Sequence, residues 1–225
     1  MKKENKRCLL IAICLLAAFL AWTLAALTVD VQAIGPRGSS VGFATLNRLV
    51  HNLTGVHMAL YTVTDWLGLV PIFFAVGFAV LGLCEWIKRK HILRVDYSIL
   101  VLGGFYIAVF AAYLLFEEIV VNYRPVFING YLEASYPSST TLLVMCVMPT
   151  AILQLQARIK CLAAKRAASL VIAAFIAFMV IGRLISGVHW FSDIVGGALL
   201  SAGLVMLYCF ACGTVPKGGL QKTDK

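Results

Sequence analysis

The sequence predicts an all-α fold: an integral membrane bundle of six transmembrane helices, with an interfacial helix between spans one and two. Three observations predict it. Hydrophobic residues make up 61% of the chain and charged residues 13%, against about 25% charged in a soluble protein; mean hydropathy is +0.92. Apolar runs near the ~20 residues that cross ~30 Å of hydrocarbon as a helix recur along the chain. Basic residues gather beside alternate ends of these runs, as they do in membrane proteins of fixed orientation. Residues 1–225 read as one transmembrane domain.

Residues 8–27 form the first span, behind a basic cluster of Lys2, Lys3, Lys6 and Arg7. This layout also resembles a secretory signal, and Val31-Gln32-Ala33 loosely resembles a cleavage site. The apolar stretch is longer than the 7–15 residues of a signal core, which favours a retained anchor. "IGPRGSS", residues 34–40, reads as turn and loop. Phe43, Leu46, Leu49, Val50, Leu53, Val56 and Leu60 then recur at helical spacing, with Asn47, Arg48, His51 and Asn52 largely elsewhere. That pattern predicts a helix lying in the interface, placed to cap or gate a site. His51 and His57 read as polar-face residues. Span two, residues 66–87, is bracketed by Trp66 and Trp86 as by interfacial anchors. Span three covers residues 98–116. Span four, residues 141–155, is the shortest and contains Pro149, which predicts a kink or a tilted, packed segment. Spans five and six cover residues 167–185 and 194–211.

The charges orient the bundle. Lys2, Lys3, Lys6, Arg7, Lys88, Arg89, Lys90, Arg94, Arg158, Lys160, Lys165, Arg166, Lys217, Lys222 and Lys225 all fall on one side of six spans. The positive-inside rule makes that side, and both termini, cytoplasmic. Arg37, Arg48, Arg124 and Arg183 are left for the other side. The net charge of +9 is thus a topology signal, and no nucleic-acid partner is expected. All seven cysteines fall in spans or on the cytoplasmic side, which implies no extracytoplasmic disulfide framework. Cys209-Phe-Ala-Cys212 has metal-pair spacing but no second pair or nearby histidine, and reads as ordinary membrane-helix cysteine. Asn52-Leu53-Thr54 is a chance-frequency glycosylation sequon.

Two loops on the side opposite the basic clusters hold most of the remaining polar chemistry. "EEIVVNYRPVFINGYLEASYPSST" joins spans three and four, and "RLISGVHWFSD" joins five and six. Arg124, Arg183, His189 and Asp193 can therefore converge. Two guanidiniums offer forked donors that match phosphate oxygens. His189 and Asp193, four apart at the start of span six, share a helix face. Asp193 could accept the Nδ1–H of His189 and leave Nε2 free to attack. Ser192 could cap that helix, whose dipole also suits Asp193. The plainer alternative makes the histidine and aspartate a cap and lets the arginines snorkel to headgroups.

"GRLISGVHWFSD" resembles the third signature of the type 2 phosphatidic acid phosphatase superfamily, S-R-x-x-x-x-x-H-x-x-x-D. Arg183, His189 and Asp193 match, and Gly182 stands where that signature has serine. "YRP" resembles the end of the first signature, K-x-x-x-x-x-x-R-P, through Arg124 and Pro125. "YPSST" takes the place of the second, P-S-G-H, through Pro137 and Ser138. The resemblance implies a membrane lipid phosphatase with no metal and no cofactor. His189 would be the nucleophile that becomes a phosphohistidine, and Asp193 its orienter. Arg124 and Arg183, with Ser138 and Ser139, would hold the phosphoryl oxygens.

Two positions depart from the pattern: Glu117 falls on the first signature's lysine and Thr140 on the second signature's histidine, the family's general acid. A threonine hydroxyl cannot protonate a leaving group near neutral pH, and general-acid help is worth roughly 10²–10⁴. A phosphomonoester expels an alkoxide with a conjugate-acid pKa of about 16; a diphosphate expels a phosphate with a second pKa of about 6. The expected activity is therefore a lipid phosphatase or diphosphatase favouring a polyprenyl diphosphate. Glu117 or Glu118 could supply the proton if burial raised its pKa. A phosphotransferase using the same intermediate, and a non-catalytic phospholipid-binding relative, are the alternatives. The expected partners are a phosphorylated lipid and the bilayer, and the expected location is a bacterial plasma or inner membrane with the site extracytoplasmic.

Overall fold

The computed structural model describes residues 3–213; Lys2, Lys217, Lys222 and Lys225 of the charge pattern lie outside the described residues. Within that range the protein is all-helical, with only isolated β-bridges in its loops. The α-helices are α1 (Lys3–Thr28), α2 (Ala44–Thr54), α3 (Met58–Leu67), α4 (Leu69–Arg89), α5 (Tyr97–Glu118), α6 (Ser139–Arg158), α7 (Leu162–Ile185) and α8 (Phe191–Cys212). Six helical stretches are long and apolar enough to cross a membrane, α3 and α4 counting together as Met58–Arg89.

The bundle has an inside and an outside. α6 and α8 pack on each other, α6 also against α4, α5 and α7, and α8 also against α1 and α5. Half of the most apolar window of α6 and 44% of that of α8 are buried, against 11–22% for the other four spans. Pro149 sits within α6, which is the packed segment expected there. The outer helices turn large apolar side chains such as Phe73, Ile107 and Leu170 outward, which hydrocarbon accepts and water would not. α1 lies along α8, and a side chain at Gly203 would run into Leu16 at 2.8 Å, so that position must stay small.

Two expectations need correction. The apolar pattern from Phe43 to Leu60 is not one helix: α2 ends at Thr54, Gly55–His57 breaks it, and Leu60 belongs to α3. Span two accordingly begins near Met58 rather than Trp66. α2 does not turn its leucines inward: Leu49 and Leu53 are exposed, as are Arg48 and Asn52, while Ala44 and Asn47 are fully buried. Asn47 Oδ1 accepts the backbone N–H of Ser192 at 3.0 Å, and its Nδ2 donates to Ser192 Oγ at 2.9 Å. A residue from the interfacial helix thus satisfies one of the orphan donors at the start of α8.

Candidate active site

Four segments meet at one end of the bundle. The first is the α5–α6 connection, which folds back on itself. Asn129 and Gly130 both take positive φ, and Ile128 and Tyr131 exchange backbone hydrogen bonds around them, the turn that Asn-Gly favours. Arg124 N–H then donates to Glu133 O and Ser135 N–H to Asn122 O. This brings Asn122, Arg124 and Ser135 to the same place. The second is the α7–α8 loop. Gly187 has φ +67 and would place a Cβ 1.9 Å from Gly55 O, so glycine is required there. The third is the N-terminus of α6, and the fourth is α3.

His189 lies in the α7–α8 loop, 3% exposed. Burial, the largest effect, pulls it down from 6.5 to about 4; Arg124 and Arg183 push the same way, and Asp193 opposes them. His189 is neutral at ordinary pH, and its Nε2 is buried with no hydrogen-bond partner. The direct pairing of Asp193 with Nδ1 is not what the structure shows. Asp193 Oδ2 lies 3.8 Å from Nδ1, beyond hydrogen-bond range. Ser135 Oγ lies 3.1 Å from Nδ1 and donates to Asp193 Oδ2 at 2.5 Å. Asp193 is fully buried and also accepts from Asn122 Nδ2 at 3.1 Å and from the Trp190 backbone N–H at 2.8 Å. That last bond caps α8, so Ser192 is not the capping side chain expected; its hydroxyl bonds to Asn47 instead.

Arg183, on the last turn of α7, is 2% exposed. Its Nη2 donates to Asp65 Oδ1 at 2.8 Å and Thr140 Oγ1 at 2.5 Å, while Nε and Nη1 have no partner. Arg124 is also buried. Its Nε lies 3.2 Å from Glu133 Oε2, and its Nη1 is unpartnered. The Tyr61 ring lies 4.8 Å from the Arg183 guanidinium carbon and 5.9 Å from that of Arg124, within cation–π range of both. Unpaired buried donors of this kind are costly, and an anion among them would satisfy them together.

The remaining candidate residues divide. Thr140 touches Arg183 and sits in the first turn of α6, whose free backbone N–H groups suit an anion. Ser138 is fully buried; its hydroxyl caps α6 and accepts from Thr141 Oγ1 at 3.1 Å. Ser139 and Glu117 line a small cleft beside Ser135. Glu117 and Glu118 end α5 and are both exposed. Sequence reasoning missed Ser135, Asn122, Tyr61 and Asp65. Only the first two had a signal, the Asn129-Gly130 turn that folds residues 122–124 back onto 133–135.

Comparison places this arrangement among known proteins. Residues 115–212, from the end of α5 through α8, match the PAP2 superfamily. The fold aligns with the crystal structure of a transmembrane PAP2-type phosphatidylglycerolphosphate phosphatase from Bacillus subtilis. The TM-score is 0.64 at 18% identity, over 88% of this chain and 93% of that one, a likeness that speaks for the fold alone. No curated protein matches the sequence.

Proposed function

We propose that this chain, which belongs to the PAP2 superfamily, is an integral membrane lipid phosphatase or diphosphatase working through a phosphohistidine on His189. One observation carries the reading. Arg124 Nη1, Arg183 Nε and Nη1, and His189 Nε2 are all buried without a hydrogen-bond partner, and both arginines act on His189 electrostatically. Three unpaired donors and one lone pair on electrostatically coupled residues suit a phosphoryl group: the donors would take its oxygens, and the lone pair would face phosphorus.

The chemistry runs in two steps. His189 Nε2 attacks phosphorus as the bond to the leaving oxygen breaks. Water then attacks the phosphohistidine, the P–N bond breaks, the Nε2 lone pair returns, and inorganic phosphate leaves with the water proton passed to solvent. Arg124, Arg183 and the first turn of α6 hold the charge that builds on the equatorial oxygens.

Thr140 donates no proton of useful acidity, and its oxygen is already bonded to Arg183. A diphosphate needs no proton, because its departing phosphate has a second pKa of about 6. This supports a polyprenyl diphosphate as the favoured substrate. The basic clusters at the far end of the bundle support an extracytoplasmic site, and the large apolar side chains exposed along the spans suit a bilayer.

Phosphate release by purified protein tests the reading, on a panel of lipid monoesters and diphosphates with His189→Ala as blank. Release by wild type alone, greater on diphosphates, is expected. Equal release by the His189→Ala protein would remove the phosphohistidine. No release from any lipid would leave a phospholipid-binding protein.

A further inference from the structure

We infer that Ser135 is the positioning residue for His189: a hydroxyl inserted between Asp193 and the imidazole fixes the tautomer that leaves Nε2 free to attack. The inference rests on the phosphohistidine reading for its purpose, but its geometry stands alone.

The hydrogen-bond direction follows from inventory. A carboxylate only accepts, so the 2.5 Å contact between Ser135 Oγ and Asp193 Oδ2 has serine as donor. It is short, as a hydroxyl donating to a charged oxygen should be. Serine has one hydroxyl proton, now committed. At the 3.1 Å contact with His189 Nδ1, Ser135 Oγ can therefore only accept, which puts the imidazole proton on Nδ1 and the lone pair on Nε2. Reversing the chain would set the Ser135 lone pairs against a carboxylate oxygen 2.5 Å away.

Asp193 cannot do this itself. It lies 3.8 Å from Nδ1, and its two oxygens already serve Asn122, Trp190 N–H and Ser135. Asn122 completes the device, accepting the Ser135 N–H on its backbone while its side chain holds Asp193. Ser135, His189 and Asp193 are each 3% exposed or less, so water does not compete for these bonds. When His189 gains positive charge on phosphorylation, Asp193 feels it through the polarised hydroxyl.

The test joins kinetics to a readout that does not need turnover. Ser135→Ala should lower the single-turnover rate of His189 phosphorylation by about 10- to 100-fold, the worth of a hydrogen bond to a charged system. Inhibition by inorganic phosphate should be unchanged, showing the arginine site intact. Ser135→Thr, which keeps the hydroxyl, should recover most of the rate. Because Asp193 acts through Ser135, adding Ser135→Ala to Asp193→Asn should cost little more than Asp193→Asn alone. Nitrogen NMR of labelled histidine should show a proton on Nδ1 of His189 in wild type, with a shift toward the other tautomer in Ser135→Ala. An unchanged tautomer in Ser135→Ala overturns the inference, as do rate losses that multiply in the double variant. A wild type that carries the Nδ1 proton yet cleaves no lipid overturns the phosphatase reading and leaves the relay standing.

Discussion

A histidine that stays neutral down to about pH 4 is a nucleophile over a wider range than an ordinary imidazole. Protonation removes the Nε2 lone pair, so His189 phosphorylation should stay flat from pH 7 to about 5 and fall as pH drops through about 4. Stability has the same sign. The unfolded histidine takes its proton near its ordinary value of 6.5 and the folded one only near 4, so stability should decline as pH falls between them. A quench-flow profile with its midpoint near 6.5 would show that His189 is solvated when it reacts. Thr140 is the second informative position. Thr140→His would put a proton donor beside Arg183, where the threonine oxygen now lies 2.5 Å from Nη2. Monoester cleavage should rise by more than diphosphate cleavage, because only the alkoxide needs the proton. The gain is bounded by the ~10²–10⁴ of general-acid catalysis, and the ratio of the two gains is the quantity to measure. An unchanged ratio, with wild type already fast on monoesters, would point to another acid.

Among the elements, α3 is the one whose role the sequence hides. Asp65 directly precedes Trp66, the interfacial anchor at which the sequence starts span two. In the structure Arg183 pairs with that carboxylate, so the helix continues through it. Tyr61 has its partners at positions 124 and 183, a separation no local pattern reveals. The α7–α8 loop was legible because its chemistry is compact: Arg183, His189 and Asp193 fall within eleven residues. The spans were legible because lipid demands long apolar helices. Ser135 was not, since a single serine in a loop acquires meaning only once the Asn129-Gly130 turn folds it against Asp193. Gly182, which departs from the serine of the third signature, is explained by α3. A Cβ there would lie 2.9 Å from Thr64 Cγ2, so glycine lets α3 close on α7 and carries Tyr61 and Asp65 over Arg183. Gly182→Ser should therefore push α3 away and lower kcat/KM by about 10-fold, the order expected when a site is misplaced by part of an ångström. Adding Thr64→Ser removes the clashing methyl and keeps the hydroxyl bonded to Leu60 O, and should restore activity. No rescue would mean that Gly182 matters for another reason.

The whole bundle is built around α6 and α8, the two most buried spans, whose N-termini both open on the site. That arrangement directs two positive helix ends toward the arginines, with Asp193, Asp65 and Glu133 opposing them. It also fixes the two faces of the molecule. Lys6, Arg7, Lys88, Arg89, Lys90, Arg94, Arg158, Lys160, Lys165 and Arg166 cluster where α1 and α5 begin and α4 and α6 end. Arg37, Arg48, Arg124 and Arg183 belong to the other end. Residues within a short reach of the spans decide orientation, and ten basic residues against four is a strong asymmetry. The site should accordingly face away from the cytoplasm. Native Cys161, exposed in the α6–α7 connection, reports the basic end, and Tyr131, 74% exposed at the tip of the α5–α6 turn, offers a position for a reporter at the site end. With the other cysteines replaced, a membrane-impermeant thiol reagent applied to intact cells should label Tyr131→Cys and spare Cys161. Permeabilised cells should label both. Labelling of Cys161 but not Tyr131→Cys in intact cells would invert the protein and make its substrate a lipid of the cytoplasmic leaflet.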